Sequence, residues 1–422
     1  MSGSAEEGDS EGSSEDKLVS AGYSSDRGGA ADEDERNRND GDISGRSKKE
    51  GKTMIIKNGR VFQEDGTFAE KDLYIEGKRF VSTKEEVIDQ EVIDAKGMMV
   101  LPGLVDVHSH GAAGHDFSDG DVEGLKEILR YEKAHGITSY CPTSMTLPKD
   151  DLLKIFGTIE AIKDEPEAEV IAGVNMEGPF IDPIKKGAQA EENIVAPNAE
   201  FFRACNAASG GKIRLVTLAP NMPGSLEFIK EVSDEVMVSI GHTTADYDTA
   251  LAAMKAGAHH VTHLYNAMPP FAHRNPGVIG AAFDDPECRM ELICDGYHIH
   301  GAVVRATFSM MGSERMVLIS DSMMATGMPN GTYSLGGQAV WMKDGKATLT
   351  DGETIAGSAT NLYDCMRKAV SFDIPLADAI FAATRNPAQS IGIYDEVGSI
   401  APGKKAHVLL VDDELNLKQV IM

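Results

Sequence analysis

Apolar residues recur along this chain with two different periods. Between residues 53 and 103 they come in short stretches, MIIKNGRVF, TFAEKDLYIEGKRFV and EEVIDQEVIDAKGMMVLPG. Turn-forming pairs punctuate these stretches: Asn58-Gly59, Asp65-Gly66, Glu76-Gly77 and Lys96-Gly97. The pattern predicts β-strands joined by tight turns. Near the other end VGSIAPGKKAHVLLVD has the same style, and strand is expected to run on toward Met422. The two ends are expected to pair into one small β-sandwich, with its N-terminal part at 53–101 and its C-terminal part at 396–422.

From 102 to 395 the rhythm changes. Strand-like apolar runs fall at 104–107, 137–141, 170–175, 213–218, 236–240, 259–262, 290–294 and 316–319. Stretches of helical period lie between most of them, for example 122–134, 152–162, 245–256 and 301–311, with two more near 359–370 and 375–383. Strand and helix in alternation, eight times over, predict an α/β fold of the (β/α)8 TIM-barrel type.

Residues 1–52 follow neither period. They are rich in Ser, Gly, Asp, Glu and Asn, with few apolar positions. Such a segment buries too little surface to offset its ordering entropy and is expected to be a disordered acidic tail. The whole chain of 422 residues has a formal net charge of -27, which argues against nucleic acid or an acidic membrane surface as a partner. The five cysteines, at 141, 205, 288, 294 and 365, form no C-x-x-C pair. Reduced thiols in a cytoplasmic protein are the expectation. No apolar run is long enough for a transmembrane helix, and no signal-peptide core follows Met1.

Chemistry in such barrels gathers at the C-terminal ends of the strands. His108 and His110 end the first run, Glu177 the third, His242 the fifth, His263 the sixth and Asp321 the eighth, while His298 follows the seventh. Each has an ordinary reading by itself. An H-x-H pair puts two imidazoles on one side of an extended chain, but is weak evidence for a metal. A lone Glu177 is more often a surface carboxylate, and His242 and His263 can be satisfied core residues. Asp321 after a strand can be a helix N-cap. Together, at the ends of five strands, they point to a divalent metal site. The donor types suit Zn, Fe, Mn or Co.

The segments PGLVDVHSHG (102–111), MEGPFIDPIKKGAQ (176–189), GHTTADY (241–247), THLYNAMPPFAHRNPG (262–277), DGYHIH (295–300) and SDSMMATG (320–327) carry a resemblance. The chain resembles the amidohydrolase superfamily and, within it, the N-acetylglucosamine-6-phosphate deacetylase family. The resemblance runs from about residue 54 to 415. It implies a barrel with a β-sandwich, a homodimer, a cytoplasmic role in amino-sugar recycling, and hydrolysis of the acetamide of N-acetylglucosamine 6-phosphate. It implies Glu177, His242 and His263 as ligands of one metal, and His108 and His110 as a second position occupied in two-metal members. Asp321 is implied as the proton-transfer residue. Asn266 and Ala267 through their backbone, Arg274 from a neighbouring subunit, and His298 are implied as substrate contacts. Gln189 stands where some relatives carry a histidine near the substrate. His407 departs from a position where relatives often read Asp.

Two other readings stay open on the residues. Another amidohydrolase, acting on a different N-acyl sugar or amino acid, commonly has a lysine after the fourth strand; IRLVTLAP has none there. A non-catalytic binding protein of the same fold is expected to lose ligands or Asp321, and all are present.

Overall fold

The computed structural model describes residues 53–83 and 90–422. The tail expected over 1–52 lies outside the described residues.

Eight parallel strands form one sheet: Leu104–Ser109, Ile137–Ser144, Val174–Glu177, Ile213–Leu218, Met237–Ile240, His260–Val261, Arg289–Ile293 and Met316–Ile319. They neighbour one another in chain order. Helices between them include Val122–Ala134, Lys149–Ala161, Tyr247–Lys255 and Gly301–Met311. This is the (β/α)8 barrel that the alternation predicts. The third strand starts later than its apolar run, because Pro166–Val170 winds into a 3-10 helix before Val174. Val170 is buried all the same, and burial rather than strand explains its apolar character.

The first and eighth strands meet through contacts centred on the mouth. The Asp321 N–H donates to the His108 carbonyl at 2.9 Å, and the His110 and Gly111 N–H groups donate to the Ser322 carbonyl at 2.8 and 3.1 Å. Lower down, Asp106 Oδ1 accepts from the backbone N–H groups of His108 and Ser320 at 3.3 and 3.4 Å. The seam that closes the barrel therefore also holds His108, His110 and Asp321 side by side.

The chain ends hydrogen-bond into a single seven-stranded sheet, so the small β-domain is built from both ends as expected. Its strand Met99–Pro102 lies between Thr53–Phe62, which it joins in parallel, and Val408–Val411, which it joins antiparallel. Leu417–Ile421 completes one edge. A separate core of Ile56, Val61, Leu73, Ile75, Val100, Val408 and Leu410 packs this sheet.

One element escapes the sequence reading. After the eighth strand, Gly331–Leu335, Gln338–Lys343 and Lys346–Leu349 form a three-stranded antiparallel sheet. Its turns are Gly336-Gly337 and Asp344-Gly345, all four residues at positive φ, as two-residue hairpins require. Those pairs were the signal available. Leu335, Val340, Met342 and Ala347 pack on Met145, Met323 and Ala325 beside the barrel mouth.

Glu132, on the helix Val122–Ala134, is fully buried, and neither carboxylate oxygen has a hydrogen-bond partner. Burial, with Asp106 nearby, raises its pKa well above the ordinary 4.5. Above pH 4.5 the unfolded chain releases this proton while the folded chain keeps it. Stability therefore falls as pH rises, by up to about 1.4 kcal/mol per pH unit from this group until the folded group ionises. Glu132→Gln removes the linkage. Thermal melting is expected to show the variant gaining Tm relative to wild type at pH 8, with a smaller gain at pH 5. A difference that does not vary with pH would overturn this account.

Candidate metal centre

Glu177 ends the third strand with its carboxylate almost sealed from solvent, and four imidazoles converge on it. Oε1 lies 3.0 Å from His263 Nε2, 3.1 Å from His242 Nε2 and 3.4 Å from His108 Nε2; Oε2 lies 3.4 Å from His110 Nε2. Asp321 Oδ1 is 3.3 Å from His110 Nε2 and 3.6 Å from His108 Nε2. All six side chains singled out in the sequence thus meet at one place.

The local backbone explains how. His108 and His110 are two residues apart at the end of the first strand, so their rings lie on the same side, with centroids 5.3 Å apart. His242, His263 and Asp321 each have positive φ, at 45°, 28° and 48°. Left-handed backbone is unusual for residues with a Cβ and costs on the order of 1–3 kcal/mol each. Each lies just beyond its strand, where the sharp turn swings the side chain into the mouth. Gly241 permits one such turn: a Cβ there would come 2.7 Å from Thr262 Cβ and 2.9 Å from Thr217 Cγ2. No helix starts at Asp321, which excludes the N-cap reading.

Three of the imidazoles have Nδ1 beside an acceptor. His110 Nδ1 is 3.1 Å from the Thr143 carbonyl, His242 Nδ1 is 2.8 Å from the Lys185 carbonyl, and His108 Nδ1 is 2.9 Å from Glu291 Oε2. With Nδ1–H donating, each ring turns its Nε2 toward Glu177, the nitrogen that a neutral ring offers to a metal. Two sets of donor atoms, His108 with His110 and Glu177, and Glu177 with His242 and His263, each lie within 4.8 Å of one another. His108 Nε2 is buried without a hydrogen-bond partner. A buried ring nitrogen without a partner, beside two carboxylates, fits a cation site.

The charges agree. Burial opposes ionisation of Glu177, yet the His108 and His242 rings hold its carboxyl well below the usual range. Asp321 is likewise lowered against burial, chiefly by its hydrogen bond with His110. Burial opposes a charge on His110 too, but Asp321 and Glu177 lift its pKa to about 10. In the metal-free chain, protons stand where a cation would.

A cavity of about 320 Å³ opens over the cluster, lined by His110, Glu177, His242, His263, Asp321, Gln189, Asn266, Ala267 and His298 among others. That is the low end of small-molecule sites. The missed sheet contributes Leu335, and the segment after it contributes Thr354, Ile355, Ala356 and Gly357. His298 Nδ1 is 2.7 Å from Asp295 Oδ2, which fixes the ring. Gln189 donates from Nε2 to Glu177 Oε2 at 2.7 Å and accepts from the Thr146 N–H at 2.6 Å. The Asn266 N–H donates to the His263 carbonyl at 2.9 Å. Arg274 is exposed and does not line the cavity of its own chain. Of the other histidines, His300 caps a helix by accepting from the Ala302 N–H, and His260 is buried against Ser239. Sequence reasoning missed Glu291, Asp295 and the Thr143 and Lys185 carbonyls. The Asp295-x-x-His298 spacing was a usable signal for one; nothing local marks the rest.

Imidazoles and carboxylates gathered at the C-terminal mouth of a (β/α)8 barrel define a class of barrel hydrolases. The chain belongs to the amidohydrolase family, whose pattern matches residues 99–421. Members of that family are generally metal-dependent, in agreement with the His and Glu groups found here. Among curated proteins, the chain is 35% identical over 368 residues to N-acetylglucosamine-6-phosphate deacetylase from Bacillus subtilis, covering 85% of this chain and 90% of that one. It is 32% identical over 375 residues to N-acetylgalactosamine-6-phosphate deacetylase from Escherichia coli O157:H7, covering 87% and 97%. A solved structure of a mutant N-acetyl-D-glucosamine-6-phosphate deacetylase from Mycobacterium smegmatis, in complex with N-acetyl-D-glucosamine-6-phosphate, superposes with a TM-score of 0.80 at 30% identity, covering 88% and 98%.

Imidazole must be neutral to ligate a metal. With His110 charged at neutral pH in the metal-free chain, metal uptake is expected to release protons, and affinity is expected to fall as pH falls. Calorimetric titration of the metal-free protein with Zn at pH 7.5 in two buffers of different ionisation enthalpy should give different heats. Equal heats would contradict proton release.

Proposed function

We propose that the protein hydrolyses the acetamide of N-acetyl-D-glucosamine 6-phosphate, giving glucosamine 6-phosphate and acetate, as a step in amino-sugar recycling. The observation that carries this reading is the convergence of Glu177, four imidazoles and Asp321 beneath one cavity. Relatives named for this activity are similar over 85% and 86% of the chain.

An amide is unreactive, so its carbonyl must be polarised and water activated. A divalent metal, Zn, Fe, Mn or Co at one or two per subunit, supplies both effects when bound. Glu177, His242 and His263 are the residues to hold it, and His108 and His110 with Glu177 make the second position. Gln189 fixes the Glu177 carboxylate by its hydrogen bond. Asp321 is the group to accept a proton from the attacking water and return it to the leaving amine. Its lowered pKa keeps it ionised and ready to do so. His298, oriented by Asp295, faces the sugar hydroxyls. The Asn266 N–H is already committed to His263, which leaves the Ala267 N–H as the backbone donor for the phosphate. Arg274, exposed on its own chain, would serve the neighbouring subunit of a homodimer; a guanidinium fork matches phosphate oxygens. We place the reaction in the cytoplasm, where free thiols such as the five buried cysteines persist. We divide the chain into a tail (1–52), a barrel (102–395) and a β-domain from 53–101 and 396–422.

Asp321→Asn is expected to lower acetate release from N-acetylglucosamine 6-phosphate by about 10²–10⁴-fold while bound metal per chain stays at the wild-type value. Near-normal turnover would remove Asp321 from this role. Arg274→Ala is expected to raise KM for the 6-phosphate far more than for unphosphorylated N-acetylglucosamine. Equal effects on the two sugars would refute the phosphate contact.

A further inference from the structure

Glu291 sits in the middle of the seventh strand, with no solvent exposure. A carboxylate inside a barrel needs partners, and its partners are particular. Oε2 is 2.9 Å from His108 Nδ1 and 3.1 Å from the His263 backbone nitrogen. Oε1 has no hydrogen-bond partner; His260 Nδ1 is 3.8 Å from it and lies closer to Ser239 Oγ, at 3.0 Å. The Glu291 carbonyl accepts the Leu264 N–H at 2.9 Å. One residue thus joins the first strand's histidine to the chain just after the sixth strand.

The contact with His108 has a chemical consequence. A neutral imidazole carries its proton on one nitrogen or the other, and only the bare nitrogen can bind a metal. A carboxylate accepts and does not donate, so it selects the form with the proton on Nδ1. The bare Nε2 then faces Glu177 Oε1 and Asp321 Oδ1 at 3.4 and 3.6 Å. The corresponding Nδ1 acceptors for His110 and His242 are backbone carbonyls. Glu291 is the charged acceptor of the three, and a charged acceptor raises the basicity of the opposite nitrogen more than a neutral one.

We propose that Glu291 is a positioning residue for the His108–His110 metal position: it fixes the His108 tautomer and strengthens Nε2 as a donor. This rests on the metal-centre reading given above. Outer partners of metal-bound histidines typically change metal affinity by about 10–100-fold when removed.

The test is a double-mutant cycle read by metal binding. Metal-free wild type, Glu291→Gln, His108→Asn and the double variant are dialysed against graded Co(II). Bound metal is counted by atomic emission, the Co(II) visible spectrum is recorded, and melting is followed as a check on folding. Glutamine keeps the size and an acceptor oxygen but loses the charge and the strict acceptor character. Expected is a wild type with two metals per chain, and in Glu291→Gln a weakening of about 10–100-fold at one of them, with an altered Co(II) spectrum. In the His108→Asn background the same substitution should change the remaining metal's affinity less than threefold. Equal losses in both backgrounds would mean that Glu291 acts on the core or on His263, and would overturn the proposal. An unchanged affinity in Glu291→Gln would overturn it too. Should Glu291→Gln fail to fold, Glu291→Asp takes its place, and the proposal predicts an intermediate affinity, again only when His108 is present. A wild type that binds no metal would instead sink the metal-centre reading itself.

Discussion

A carboxylate buried among imidazoles is the constraint on which this molecule turns. Glu177 is almost sealed from water, and an isolated charge so placed would be very costly. Four histidines from three strand ends surround it, and Gln189 holds one of its oxygens. Protons alone balance that cluster in the metal-free chain; a divalent cation balances it with fewer compromises, since each imidazole can then be neutral. The fold must deliver those side chains to one point, and most features of the mouth follow from that demand.

The barrel meets the demand at its seam. The first and eighth strands close the sheet through His108, Asp321 and Ser322 backbone groups, and Asp106 bridges them from below. Closure and site assembly are therefore the same set of contacts. Three left-handed residues, His242, His263 and Asp321, add strain at the rim. Leu218, Ile240, Val261 and Leu292, on the strands that carry or flank these turns, are part of the main buried core. Strain gathered where chemistry is expected, on a framework that over-determines it, is the usual arrangement at functional sites.

The cavity above the cluster depends on a part of the chain that the apolar pattern did not flag. The sheet spanning Gly331–Leu349 and the segment to Gly357 form one wall. Its strands are short and amphipathic, and their turns are marked only by Gly-Gly and Asp-Gly pairs. Against eight longer barrel units such pairs are easy to pass over. This wall bounds the space that opens above the cluster.

The barrel, the β-domain from both ends and the six side chains of the cluster are legible in the order of residues. Strand periodicity is local, and a polar residue just after a strand has one place to go in this fold. The same order also carried His298 and the Asn266-Ala267 turn into the cavity. Which atoms face which becomes visible only in the folded chain. Gln189 is bonded to Glu177, the Asn266 N–H is taken by His263, and Glu291 lies beneath His108 rather than in an ordinary strand interior. The Asn266–His263 bond closes one local turn, whereas Gln189 reaches Glu177 from a separate loop and Glu291 meets His108 across 183 positions of chain. Nothing in the local pattern marks such partners, because their contact exists only once the sheet has closed on itself and the mouth has excluded water.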